Sequence, residues 1–474
     1  MKRLILGMVV LAMATTACKR NLDKGFTPRS TFAGPYDDTI TLDPVINTDL
    51  ALSANNLYIL DGKVFVTGNH TLEIEEGTRI EAVARPNEPT LTSALIITRG
   101  STITAFGTED NPIVFTSNSP CPTSGDWGGI VLLGSAPLNR ADTTIEGISQ
   151  PSVPPGVDIN YGGGGACLGN VNDNSGVLSY VRIEYAGASI APDNELNGLT
   201  CGGVGAGTQL DHIEVAYGND DAFEFFGGTV NASYLIALVP DDDAFDFDFG
   251  YTGSVQFAVS VLKPGNDVFG VAINYSANPN GIESDNNATG DCITCKRTQP
   301  IISNMTVIGF EDATQAATVP TAGLLNGAFF RRASSQIVKN SVFIGFPTGV
   351  NFSSACSIAD AGNFQYNTVH GFNVSDAGAA IDGTNTEITG ATANGSSVNL
   401  IDPFDACSPD FRPNVGSPLL DPANVNYSGL SSFIVPKTYR GAFANADGVG
   451  NEDASWASKS WVKYDYKRYC VNCD

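Results

Sequence analysis

Basic residues are scarce in this chain: 25 Lys and Arg stand against 50 Asp and Glu in 474 residues, a formal net charge of −25. Charge of that sign excludes a nucleic-acid partner or an anionic membrane surface held by electrostatics, since both would repel it. Histidine is nearly absent, and His70, His212 and His370 are too scattered to suggest a zinc site. No GxSxG run occurs, so the nucleophile-elbow hydrolases have no support. The glycine runs at 162–165 and 202–207 lack the Lys-Ser/Thr of a phosphate loop and read as loops. Helix-favouring Met, Lys and Arg are few, whereas Gly reaches 51 residues. With abundant Asn, Asp, Ser and Thr, that composition describes many short strands joined by turns.

Long apolar runs are missing too, apart from the start, MKRLILGMVVLAMATTAC. Two basic residues, an apolar run from Leu4 to about Ala14 and then small residues predict a secretory signal over 1–17, too short to span a membrane. The small residues leading into Cys18 resemble a bacterial lipobox, with Thr15 where Leu is usual. The resemblance implies a mature chain lipidated on Cys18 and anchored at the outer membrane, on its periplasmic or cell-surface side.

Ten cysteines are present, nine of them beyond Cys18. An odd number in an oxidising compartment leaves at least one free or paired between chains. Cys292–Cys295 and Cys470–Cys473 are CxxC pairs without a thioredoxin-like βαβ pattern after them, and the expectation is local structural disulfides instead of a redox or zinc site. Nearness in sequence suggests pairing Cys121 with Cys167 and Cys356 with Cys407.

What the chain does have is repetition. Asp221-Ala-Phe223, Asp243-Ala-Phe245 and Asp267-Val-Phe269 recur after turn-like clusters. LSYVRIEYAG from Leu178 matches LDHIEVAYGN from Leu210, and ISNMTVIGF from Ile302 matches VKNSVFIGF from Val338 and FQYNTVHGF from Phe364. A period of about 22–24 residues is what three short strands and three turns occupy in one coil of a solenoid. The fold class is therefore all-β, a parallel β-helix with loops inserted into some coils. A two-sheet sandwich is the alternative, but it needs hairpin signals, and Asn-Gly or Asp-Gly turns between alternating runs are rare here.

LEIEEGTRIEA (72–82), ALIITRGSTITAFGTEDNPIVFTS (94–117) and GDWGGIVLLGSAPLN (125–139) resemble the first coils of a family of right-handed parallel β-helix lipoproteins common in Bacteroidota. DFRPNVGSPLLDP (410–422) resembles the closing coil of many β-helix proteins, and YRGAF (439–443) with Trp456 and Trp461 resembles that family's C-terminal segment. The resemblance implies a signal peptide over 1–17, a lipid-anchored linker and cap over 18–59, a β-helix over 60–422 and a capping segment over 423–474. It speaks to fold and address more than to activity. Gly77, Gly100 and Gly107 read as turn residues, and Trp127 before Gly128-Gly129 as an aromatic wedge.

The stretch DDDAFDFDFG (241–250) alternates Phe245, Phe247 and Phe249 with Asp246 and Asp248, the period of a strand with one apolar and one acidic face. Aligning the repeats puts Asp220 over Asp242 and Glu224 over Asp246, with Asp248 further along the same outward face. Glu283 and Asp285 extend it in one register. Carboxylates stacked about 4.8 Å apart repel by roughly 3.5 kcal/mol at an effective dielectric near 20. They recruit a cation, raise their pKa values, or stay as a hydrated strip. Calcium suits such a site, so Asp220, Glu224, Asp242, Asp246 and Asp248 are candidate Ca²⁺ ligands.

The catalytic reading is a calcium-dependent polysaccharide lyase or glycoside hydrolase that uses the acidic groove. Coil spacing alone mimics the carboxylate separations of glycosidases, so spacing does not support it. No Lys or Arg lies between Arg182 and Lys263, and no GHG or RIK-type run is present, so a base must come from a distant coil or be one of the carboxylates themselves. The favoured reading is a non-catalytic binding or structural module. Insertions at 188–207 and 276–297 would offer a surface to a glycan or an outer-membrane protein.

Overall fold

A computed structural model describes residues 36–466, apart from 86, 149–151, 192–193, 263–274, 276–278, 293–294, 320–324, 406–407 and 446–451. Short β-branched and aromatic runs separated by Gly, Asn and Asp turns each form a strand of only a few residues, and each strand pairs in parallel with the strand one coil away. Twenty-seven strands join one continuous sheet. Thr39–Thr41, Val45–Ile46 and Leu50–Leu52 open three faces, continued by Leu57–Leu60, Lys63–Val66 and Thr71–Ile74. Parallel pairing thus starts at Thr39, ahead of residue 60 where the sequence suggested the first coil. The result is a right-handed parallel β-helix, and antiparallel pairs are confined to three two-stranded ribbons and one isolated bridge among the described residues.

The repeats seen in sequence are stacked rungs. Leu178 pairs with Leu210, Phe223 with Phe245, Ile302 with Val338, and Val338 with Phe364. Inward-facing rings ladder through the core, with Phe223 and Phe245 stacked at 5.2 Å and Phe225 and Phe247 at 5.3 Å. The third proposed copy differs. Asp267-Val-Phe269 lies outside the described residues, and Glu283–Ser284 forms the rung that follows Asp246–Phe247.

From Gly176 onward two faces merge into long strands bent at one residue. Tyr180, His212, Tyr234 and Phe257 sit at the bend with φ of 53°, 51°, 57° and 57°. Such backbone is strained for bulky residues, and stacking offsets it: the successive rings lie 4.3, 4.4 and 4.9 Å apart. Gly129 shows the opposite device in the GDWGGI run. Its φ is +80° and a Cβ there would lie 2.0 Å from the Asn197 carbonyl, so only glycine fits.

The C-terminal segment does more than close the end. It runs back along the flank as a strap: Asn304 donates to the Tyr439 carbonyl, Trp456 and Trp461 meet Tyr234 and His212 edge-on, and Lys459 pairs with Glu109. No helix among the described residues is long and apolar enough to cross a membrane.

The cysteines depart from expectation. The bonds are Cys167–Cys295 and Cys292–Cys356, so the CxxC pair at 292–295 is not a local bridge and neither proximity pairing holds for Cys167 or Cys356. Sequence nearness misleads in a solenoid because loops inserted into different coils leave on the same side and meet there, 128 and 64 residues apart in these two bonds. Cys121 is also disulfide-bonded, and Cys201 is a free buried thiol. Cys18, Cys407, Cys470 and Cys473 lie outside the described residues.

Candidate functional site

One row of outward-pointing side chains runs along the sheet through Phe65, Ile96, Val131, Thr200, Glu224, Asp246, Glu283 and Phe329, each in register with the next. The alternation in the Phe/Asp stretch predicts this orientation, and the structure places Glu224 beside Asp246 as aligned. It also brings Glu283 next to Asp246. Asp248 instead pairs with Phe226 and belongs to neither group of closely placed ligand oxygens.

The acid is a partly covered strip in which Asp220, Asp242, Asp246 and Asp248 keep partial exposure. Glu224 is only 5% exposed, and Asp221, Asp243, Glu283 and Asp285 are buried with it. The row points away from the core, as the alternation predicts, and part of it lies under a cover. Ile145, Tyr161 and Leu196 pack with Val131, Leu133 and Phe226 in a second apolar cluster on that face. The ribbon of Thr143–Thr144 with Asn160–Tyr161 and that of Ser189–Ala191 with Asn194–Glu195 build the lid. Asn139 donates to the Asn286 carbonyl at 2.7 Å, and Arg140 lies 4.5 Å over the Phe249 ring. Inserted loops carry no repeat signal, so alternation alone does not reveal a cover.

Asn197, Asp221, Asp243, Asn280 and Asn326 form a second ladder at the turn before the strands. The side-chain oxygens of the first four accept a backbone N–H from the next coil: Asn197 from Asp221 at 3.2 Å, Asp221 from Asp243 at 2.9 Å, Asp243 from Asn280 at 2.6 Å, and Asn280 from Asn326 at 3.0 Å. Asn197 also donates to Glu224. These bonds hold Asp221 and Asp243 in place but do not neutralise them.

Burial, and then neighbouring carboxylates, push Asp220, Asp221, Glu224, Asp243, Asp248 and Glu283 far above the ordinary carboxylate range. Asp246 is pushed up to about 8 by burial and Asp285, against the pull of Arg331. One Oδ atom of Asp246 is buried without a hydrogen-bond partner.

The ligand geometry suits a hard cation. One oxygen each from Asp220, Asp221 and Asp242 lie within 4.8 Å of one another, and so do oxygens of Asp221, Glu224 and Asp246. Calcium–oxygen bonds of about 2.3–2.6 Å allow ligand atoms that far apart. Asp221 was missed as a ligand in the sequence because it precedes the strand. Its recurrence as Asp-Ala-Phe was the available signal.

Arg331 and Arg332, at the end of the strand Asn326–Phe330 that pairs with Glu283–Ser284, close the far end of the strip. Arg331 pairs with Glu283 and with Asp285 at 3.0 Å, and Arg332 with Asp285 at 2.7 Å. Although burial works to lower it, Glu283 and Asp285 hold the Arg331 guanidinium above its ordinary pKa. It keeps its proton and serves as a counter-charge, and a guanidinium is a poor proton acceptor. The histidines are elsewhere: His70 meets Asp49 at 3.1 Å, His212 meets Asp211 at 2.8 Å, and His370 meets the Gly390 carbonyl at 3.1 Å.

A family model described as a pectate-lyase-like β-helix domain matches residues 44–402, well over half the chain. No curated protein and no solved structure matches.

Proposed function

We propose, for a chain that belongs to the pectate-lyase-like β-helix domain family, a non-catalytic binding or structural role in which the buried acidic strip holds calcium. The observation that carries this reading is the cover. A lyase or glycosidase must bring a sugar polymer onto its reacting carboxylates, whereas Glu224 is buried beneath packed side chains. A lidded cluster of carboxylates suits a resident ion that ties coils and lid together.

Anchoring by lipid on Cys18 at a bacterial outer membrane belongs to the same proposal. It is supported by the apolar run and small residues before Cys18, and by the resemblance of the early coils to Bacteroidota lipoproteins. A glycan or an outer-membrane protein is the partner class we propose for the exposed loops.

The reading is tested by calcium-dependent melting together with a glycan panel. Asp242→Asn with Asp246→Asn is expected to abolish a calcium-dependent rise in Tm, and no sugar ends are expected from the wild type. Release of unsaturated or reducing ends, lost on Glu224→Gln, would establish the lyase or hydrolase instead. Cys18→Ser is expected to leave the membrane fraction, and a variant that stays there contradicts the anchor.

A further inference from the structure

We propose that the strip holds two divalent cations, bridged by the Asp221 carboxylate. The proposal rests on the cation reading above and adds the number of ions and their arrangement.

The close groups of ligand oxygens are two, Asp220/Asp221/Asp242 and Asp221/Glu224/Asp246, and among the described residues they do not merge into one. An ion bonded at about 2.3–2.6 Å reaches oxygens at most about 5 Å apart across its shell, so one ion serves one group. The groups are also offset along the strand direction. Asp220 and Asp242 stand in the turns before Phe223–Phe226 and Phe245–Asp248, whereas Glu224 and Asp246 are register partners inside those strands. Asp221 lies between and belongs to both. Its carboxylate is fixed by the 2.9 Å bond from the Asp243 N–H, as a shared ligand needs to be.

An observation outside the carboxylates points to a ligand at the second position. Tyr161 is fully buried, and its hydroxyl has no hydrogen-bond partner. Its electrostatic neighbours are Glu224, Arg140, Asp248 and Glu146, and its ring packs 6.2 Å from Phe226. A buried hydroxyl left unpaired costs about 1–3 kcal/mol, and native interiors seldom leave one so. The buried, unpartnered oxygen of Asp246 lies in the same group. A cation carrying a water at Glu224/Asp246 satisfies both atoms: the carboxylate oxygen binds the ion, and the hydroxyl bonds the water.

The test is metal content by mass spectrometry, on protein stripped with chelator and then dialysed to equilibrium against calcium in metal-free buffer. Two ions per chain are expected in the wild type. Asp220→Asn with Asp242→Asn, and separately Glu224→Gln with Asp246→Asn, should each retain one. Asp221→Asn should weaken both positions by roughly tenfold or more. One ion per chain in the wild type overturns the pair but leaves the cation reading standing, and no ion overturns both. An Asp221→Asn protein that keeps one ion at wild-type affinity overturns the bridge. Circular dichroism establishes which variants fold. If none does, the wild-type stoichiometry still decides the number.

Discussion

The outward row splits into two halves that share backbone and register but differ in chemistry. Its early half, Phe65, Ile96 and Val131, meets Leu138, Ile145 and Tyr161 in an apolar cluster. Its later half, Glu224, Asp246 and Glu283, lies in the continuation of the same row. In the first half the hydrophobic effect holds the cover, at about 25 cal/mol per Å² of apolar surface removed from water. In the second half the same coverage costs free energy unless the charge is matched. Arg331 and Arg332 match it at the far end, at Glu283 and Asp285. The centre of the strip requires something else, and that requirement separates a cation site from a solvated acidic face.

The sharpest way to break the comparison is to move a carboxylate into the apolar half. Val131→Asp buries a charge that no cation site surrounds, so a loss above about 4 kcal/mol is expected in urea denaturation, with or without calcium. A calcium-rescued Val131→Asp would mean the two halves are not different environments.

Removing the Cys292–Cys356 bond by Cys292→Ser with Cys356→Ser comes next. The bond spans 64 residues and ties the loop joined to Cys167 onto the helix Ala355–Ala359. A loss of about 2–5 kcal/mol is expected, read as a lower denaturation midpoint.

Glu214 supplies a buried acid of a different kind. Burial pushes it from 4.5 up to about 8, with Glu184 adding to the rise while Arg182, the Lys463 N–H and the Tyr466 hydroxyl oppose it. A carboxyl raised in the folded state contributes stability that is fully present below about pH 4.5 and is lost as pH rises through about 8. Each tenfold difference in proton affinity between the folded and unfolded chain corresponds to about 1.4 kcal/mol at most. Glu214→Gln is expected to flatten the stability profile between those limits while leaving any calcium-dependent change in Tm intact, because its partners lie in the C-terminal strap. An unchanged profile contradicts the assignment.

The smallest effect belongs to Tyr161→Phe. With no hydrogen bond to lose, the variant in chelator should be at least as stable as the wild type, by up to about 1–3 kcal/mol because an unpaired buried hydroxyl is gone, whereas its calcium affinity should fall. A large loss in chelator would mean the hydroxyl has a partner of its own.

The solenoid was legible because its rungs repeat. Leu178 over Leu210 and Phe223 over Phe245 are visible as sequence offsets and recur as register pairs. Alternation also identified Glu224 and Asp246 as neighbours pointing out of the coil. The lid was not legible, because Leu138, Tyr161 and Leu196 belong to insertions whose landing place depends on three-dimensional closure. Without the lid, the burial of Glu224 does not follow. Arg331 is 85 residues beyond Asp246 in sequence, yet its guanidinium pulls on that carboxyl across neighbouring coils. The disulfides failed for the same reason, since Cys167 meets Cys295 across 128 residues.

The most direct measurement is the melting temperature of the wild type in millimolar calcium against chelator, beside Glu224→Gln measured in both. A ligand bound only by the folded state at 100 times its Kd contributes about 2.7 kcal/mol. The account predicts a higher Tm in calcium for the wild type. In chelator, the variant should melt at or above the wild type, because one buried charge is gone, and its response to calcium should be smaller. Equal wild-type melting in calcium and chelator, with Glu224→Gln less stable in both, would contradict the cation-loaded strip.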